Sequence, residues 1–155
     1  MPGILSQLVL VRVLKSARAF ETTAVSVYQG LREKLTTARS CSEVLDESLC
    51  RLLAEEEMHQ KILDDIISGD LSELERTLDR QGYSSLENLE SLDDSALSQW
   101  GRELESALEQ EEKTWIFYTN LQRMSRIPAV RKAFAVLGSM EKGHLDILRR
   151  LLGRS

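Results

Sequence analysis

Both histidines of this chain stand three residues after a glutamate, in Glu56-Glu57-Met58-His59 and in Glu141-Lys142-Gly143-His144. On a helix this spacing sets a carboxylate and an imidazole side by side on one face. Two such pairs on two helices supply half of a carboxylate-bridged dinuclear metal site in a four-helix bundle. With 17 glutamates in 155 residues, both histidines matching by chance is about a one-in-a-hundred event for so short a motif. The spacing therefore asks for a fold that brings the two pairs to one level.

An internal repeat adds to the pairs. Glu21 is followed by Tyr28 and Leu31, and Glu111 by Tyr118 and Leu121, with the same intervals. In each half a glutamate helix precedes a Glu-x-x-His helix, so the chain has the pattern of two metal-binding hairpins. Glu56 is chosen over its neighbour Glu55 because Glu141 stands between Met140 and Lys142, where only the three-residue spacing is open. Glu111 is chosen over Glu112 by the Glu-to-Tyr interval. The flanking acids Glu55, Glu57, Glu109 and Glu112 are expected on a solvated helix face.

Abundant Leu, Glu, Ala and Arg, with only two prolines, favour helices throughout. Periodicity predicts four long ones, over about 4–38, 42–68, 95–125 and from Pro128 to near the C-terminus. Ser40 or Ser42 is expected to cap the second, Gly69 to end it, and Asp93 or Asp94 to start the third. Inner stripes are Leu14, Ala17, Ala24, Leu31 and Leu35; Leu45, Leu49, Leu52, Leu63, Ile66 and Ile67; Leu97, Leu104, Leu108 and Leu121; and Val130, Phe134, Leu137, Leu145, Leu148 and Leu151. Short turns make the first and last pairs antiparallel hairpins. Between them, Asp70 to Asp94 is a crossover with turn formers at Gln81-Gly82 and a short helix over Leu71 to Leu78. The predicted fold is an all-α four-helix bundle with one long crossover between the second and third long helices, the connectivity of ferritin-like bundles, in one domain spanning 1–155.

The glutamates fall within the apolar stripes. Leu14, Glu21, Tyr28 and Leu35 recur every seven residues, as do Leu97, Leu104, Glu111 and Tyr118. Glu21 and Glu56 each lie about 15 residues from the turn joining their helices, some 22 Å along the axis, and Glu111 and Glu141 lie about as far from theirs. Glu21, Glu56, Glu111, Glu141, His59 and His144 are thus expected to converge at mid-bundle. Four buried carboxylates are tolerable only with compensating charge. Two divalent cations balance them with both histidines neutral, and mixed oxygen and imidazole donors suit iron or manganese. Tyr28 and Tyr118 are expected either to orient the ligand carboxylates through hydrogen bonds or to pack in the core. Trp100, Trp115 and Phe134 read as packing residues, and Met58 and Met140 as packing or surface residues.

Other classes are disfavoured. A net charge of −5 offers no basic footprint for nucleic acid. The apolar stretch Ile4 to Leu14 is too short and too polar to span a membrane, and no secretory pattern accompanies it. Cys41 and Cys50 match neither a redox pair nor a zinc ribbon and are expected to be reduced in a cytoplasmic protein.

These residues resemble the ferritin-like superfamily, most closely the rubrerythrin-type di-iron domain. The resemblance runs through Glu21, Glu56-x-x-His59, the crossover, Glu111 with the following Phe117-Tyr118, and Glu141-x-x-His144. It implies that Glu56 and Glu141 bridge two iron ions (manganese or a mixed pair being the alternative). Glu21 with His59, and Glu111 with His144, would be the terminal ligands. It also implies a homodimer and a non-haem oxidoreductase that reduces hydrogen peroxide in oxidative-stress defence. A ferroxidase or iron-handling role, peroxide dismutation at manganese, oxygenase chemistry with dioxygen, and a helical interaction module with a structural metal are the other readings. Two departures from the pattern matter. Thr114 stands where rubrerythrins often carry a further carboxylate, and the sequence ends at Ser155 without a rubredoxin domain. Electrons are therefore expected from an external donor such as a rubredoxin-like protein.

Overall fold

A computed structural model describes residues 4–38, 42–80 and 90–154, with side chains from residue 9 onward. Five helices follow one another within these segments: α1 (Ile4–Thr37), α2 (Glu43–Ser68), α3 (Leu71–Asp79), α4 (Asp94–Met124) and α5 (Pro128–Leu151). Each long helix starts or stops where its chemistry dictates. The Ser42 hydroxyl accepts from the Leu45 N–H and the Asp93 carboxylate from the Ala96 N–H, each satisfying a donor that the first turn cannot. Gly69 closes α2 at φ 76°, where a side chain would be strained. Pro128 opens α5 at the position whose missing N–H costs nothing. Ser40, Cys41 and Gln81-Gly82 lie outside the described residues, so the cap is Ser42 and, for α4, Asp93.

Two apolar clusters set the topology. One gathers Leu31 and Leu35 from the end of α1, Leu45 and Leu49 from the start of α2, Trp100 and Leu104 from the start of α4, and Leu148 and Leu151 from the end of α5. The other gathers Leu14, Ala17, Ile62, Leu63, Tyr118 and Phe134 from the opposite ends of the same helices. Helices α2 and α4 therefore run parallel to each other and antiparallel to α1 and α5, as one long crossover requires. The packing is an all-α ferritin-like bundle. Each fully buried leucine contributes about 2 kcal/mol, and the stripe positions Ala24, Ile67, Leu97 and Leu121 lie at the half-buried margins of these clusters.

The crossover is anchored at both described ends. Helix α3 packs against α2 and α5 through Leu74 and Leu78. Buried Asp65 of α2 accepts from the Thr77 hydroxyl at 2.9 Å and from Lys61 at 2.7 Å. At the other end, the Leu92 N–H donates to the Leu151 carbonyl at 3.0 Å, so α4 begins beside the end of α5. Among the described residues no helix is long and apolar enough to cross a membrane.

Candidate metal centre

Between the two apolar clusters lies a polar layer. Glu21, Glu56, Glu111, Glu141, His59 and His144 are each at most 3% exposed. They come from all four long helices, because a seven-residue interval on α1 and α4 and a three-residue interval on α2 and α5 keep them on the inward faces. The imidazoles stack with ring centroids 5.1 Å apart.

Each histidine reaches across to the other motif. His59 Nδ1 lies 3.0 Å from Glu141 Oε1, and His144 Nδ1 lies 3.0 Å from Glu56 Oε1. The outer glutamates divide between them. Glu21 Oε2 is 3.3 Å from His59 Nδ1, and Glu111 Oε2 is 3.7 Å from His144 Nδ1. Ligand-type atoms of Glu56, His59, Glu141 and His144 all fall within 4.8 Å of one another.

Most of the inner donor atoms face one another without an aligned hydrogen bond. Both carboxylate oxygens of Glu56 and of Glu141, together with His144 Nδ1, are buried with no aligned hydrogen-bond partner among the described residues. Leaving such groups unpaired costs several kcal/mol each. Their convergence fits a centre where cations receive the lone pairs, and carboxylate with imidazole donors fits iron or manganese.

Protons reflect the same crowding. Burial lifts the Glu21 carboxyl to about 8, with His59 opposing and neighbouring Glu56 adding to the rise. Glu141 is lifted to about 8 by burial and by the charge of Glu111. Burial also pushes Glu111 up, but its close neighbours Glu141 and His144 and the hydrogen bond from Tyr28 outweigh it and hold that carboxyl well below the usual range. Burial alone would depress both imidazoles; the surrounding carboxylates reverse this and raise them well above the ordinary value. Positive charge is what the layer lacks, and the raised carboxyls and imidazoles hold protons that a bound cation would displace.

The tyrosines tie the two halves together crosswise. Tyr28 donates to Glu111 Oε1, and Tyr118 donates to Glu21 Oε1, so each hydroxyl holds the outer glutamate of the other half. Both rings are at most 1% exposed. Burial, then the carboxylates they face, raises both phenols well above 10 and keeps them donors. Thr114 is buried but turns its hydroxyl to the Gln110 carbonyl at 3.0 Å, away from any ligand role. Trp100 and Phe134 belong to the apolar clusters.

One expectation is corrected. Glu57, Glu109 and Glu112 are exposed, but Glu55 is not merely part of a solvated face. Its carboxylate accepts from His144 Nε2 at 2.7 Å and approaches Arg51 at 3.8 Å, one turn earlier. Burial raises Glu55, but its hydrogen bond and charge pairing with His144 outweigh this and lower its pKa. Spacing within one helix could not reveal a partner on another.

A cavity of about 310 Å³ opens between α1 and α4 and reaches Tyr28 and Glu111, with Ala24, Val27, Ala107 and Gln110 in its wall. Such a space admits water-sized solutes to one side of the polar layer.

Neither the comparison with curated proteins nor that with solved structures found a match. The rubrerythrin family model matches residues 12–152, a span that takes in both hairpins, the crossover and every residue of the polar layer. The chain belongs to the rubrerythrin family.

Proposed function

We propose that the chain is a non-haem di-iron oxidoreductase that reduces hydrogen peroxide with electrons from an external donor. The observation that carries this reading is the set of buried, unpaired donor atoms on Glu56, Glu141 and His144. Within it, Glu56 and Glu141 would be the ligands shared by the two ions. Glu21 with His59, and Glu111 with His144, would be the terminal ligands, a division supported by the imidazole that each outer glutamate approaches, at 3.3 Å for Glu21 and 3.7 Å for Glu111. Tyr28 and Tyr118 orient the terminal carboxylates.

Peroxide needs two electrons and two protons to become two waters, and a pair of ferrous ions would supply the electrons. The chain's part is to hold four carboxylates where water cannot solvate them and to keep the tyrosine hydroxyls as donors. The cavity beside Glu111 gives a small solute a route to the layer. Thr114 offers no carboxylate for exchange with a histidine ligand, so this reading involves no such exchange.

Anaerobic loading with Fe(II) followed by peroxide tests the reading. Fast oxidation of two Fe(II) per peroxide is expected, with dioxygen much slower. Faster reaction with dioxygen, or accumulation of mineral, would replace it by ferroxidase or iron-handling activity. Oxidation kinetics unchanged by Glu56→Ala would reduce the metal to a structural part.

A further inference from the structure

The two histidines are ligands of one kind in the repeat, yet they are held differently. His144 is held at its outer nitrogen: Nε2 donates to Glu55 at 2.7 Å, while Nδ1 faces the polar layer, 3.0 Å from Glu56. Glu55 is only partly buried, with 24% of its side chain exposed, and Arg51 stands one turn behind it. His59 also turns Nδ1 inward, toward Glu21 and Glu141. Its Nε2, however, is buried with no protein acceptor among the described residues.

The repeat locates the cause. Glu55 immediately precedes Glu56, and the residue immediately preceding Glu141 is Met140. A thioether is a weak acceptor and carries no charge. The α5 hairpin thus lacks what the α2 hairpin provides for its opposite number.

An acceptor on the outer nitrogen of a metal-binding imidazole does two things. It keeps the proton on that nitrogen, leaving the inner lone pair for the metal, and it fixes the ring plane. We propose that Glu55 is a positioning residue for His144, and that the lack of a counterpart for His59 makes the two metal positions unequal. The position served by His144 and Glu111 fills first and holds its ion more tightly. The position served by His59 and Glu21 fills second and exchanges more readily. This rests on the reading of the layer as a two-metal centre.

The test is stepwise addition of Co(II) to metal-free protein, followed by visible absorption and by competition with a chelator. Two steps are expected, separated by at least about tenfold in affinity. Glu55→Ala should weaken the tighter step by about 10- to 100-fold and leave the other nearly unchanged. Glu55→Gln, whose amide oxygen still accepts, should recover part of that loss, whereas a merely structural role would not distinguish the two variants. Met140→Glu should tighten the weaker step. Two indistinguishable steps in the unaltered protein, or Glu55→Ala weakening both steps alike or neither, would overturn the inference. Should Glu55→Ala fail to fold by circular dichroism, the Glu55→Gln and Met140→Glu titrations carry the same decision. Binding of one ion or none would instead remove the two-metal reading itself, and the inference with it.

Discussion

The Tyr28 and Tyr118 sides of the polar layer are built from equivalent positions of the repeat but differ in how they meet the surface. On the Tyr118 side, Phe20 and Phe117 meet edge to face with centroids 5.5 Å apart, and Phe134 stacks on Tyr118 at 6.4 Å. The repeat carries Phe20 onto Gln110 and Phe117 onto Val27. These two line the cavity on the Tyr28 side. Glutamate, tyrosine and histidine are duplicated, while the residues behind them are not. If the duplicated residues hold one centre, as proposed, it has one side lined by aromatic rings and one side with a cavity, and the asymmetry lies in ordinary packing residues.

The largest effect should come from the inner glutamates. Glu56→Ala or Glu141→Ala should remove most bound metal from both positions, whereas Glu21→Ala or Glu111→Ala should remove about one ion of two. Metal content after dialysis against excess Fe(II) or Mn(II) decides between these patterns. Equal losses from all four variants would mean that the outer and inner glutamates are equivalent, contrary to the division proposed. Without metal the order reverses. Replacing both Glu56 and Glu141 by leucine removes two buried acids from contact with the other carboxyls, and should stabilise the metal-free protein by about 1–4 kcal/mol. Chemical denaturation of the two metal-free proteins measures the difference, and a loss would show that the acids are already well compensated.

How much of this was legible in the sequence follows from which contacts repeat. The six polar residues could be found because each sits at a fixed interval from an apolar stripe on its own helix, and helices obey one period. Caps narrowed to Ser40 or Ser42 and to Asp93 or Asp94, the break at Gly69 and the α3 helix are readable for the same reason: all are local. Glu55 reads from α2 alone as part of a solvated face, because its partner, His144, lies on α5 and no interval within α2 encodes that approach. The crosswise tyrosine bonds and the cavity were likewise hidden. They depend on how α1 and α4 face each other, which is settled by side-chain volumes across the interface rather than by spacing along either helix.

A second effect on stability follows from the proton distribution. Glu21 and Glu141 have folded pKa values of about 8, and both imidazoles are raised. Above about pH 4.5 the unfolded carboxyls have lost protons that the folded ones keep, so the metal-free protein should lose stability as pH rises from 5 to 8. The slope is about 1.4 kcal/mol per pH unit for each proton retained. The histidines act in the same direction, since stability from a raised imidazole is complete below about 6.5 and is lost as pH climbs through the folded value. Glu111 acts oppositely, but only below about 4.5, where its depressed folded value makes stability fall with acid. Metal ligation removes the retained protons, so the loaded protein should show a flat or rising profile over the same range. Thermal unfolding with and without Mn(II) at pH 5, 6, 7 and 8 checks the sign. Parallel profiles would show that metal displaces no protons from these groups.

The tyrosines should divide by half. Tyr28→Phe removes a donor from Glu111, and Tyr118→Phe removes one from Glu21. Each should weaken one metal step by about tenfold, at the low end for a residue that orients a ligand. Tyr28→Phe should act on the step served by His144, and Tyr118→Phe on the other. Stepwise Co(II) binding to the two variants tests the pairing, and weakening of the same step by both would contradict the crosswise arrangement.

The smallest effect concerns the open side, and it should appear in rates alone. Gln110→Phe combined with Val27→Phe places on the Tyr28 side the aromatic pair that occupies the Tyr118 side. Both positions line the cavity, and Val27 is 41% exposed, so added bulk can extend toward solvent without displacing the ligands. If solutes reach the layer between α1 and α4, Fe(II) loading should slow several-fold while final stoichiometry and affinity stay as they were. The converse change, Phe20→Gln with Phe117→Val, removes the aromatic pair from the other side and should speed loading, at a cost of about 1–3 kcal/mol in stability from lost aromatic packing. Stopped-flow loading of both variants separates two kinds of outcome. Opposite shifts in rate at constant stoichiometry locate the entrance, whereas a changed stoichiometry in either variant would mean that these residues shape the ligand layer itself.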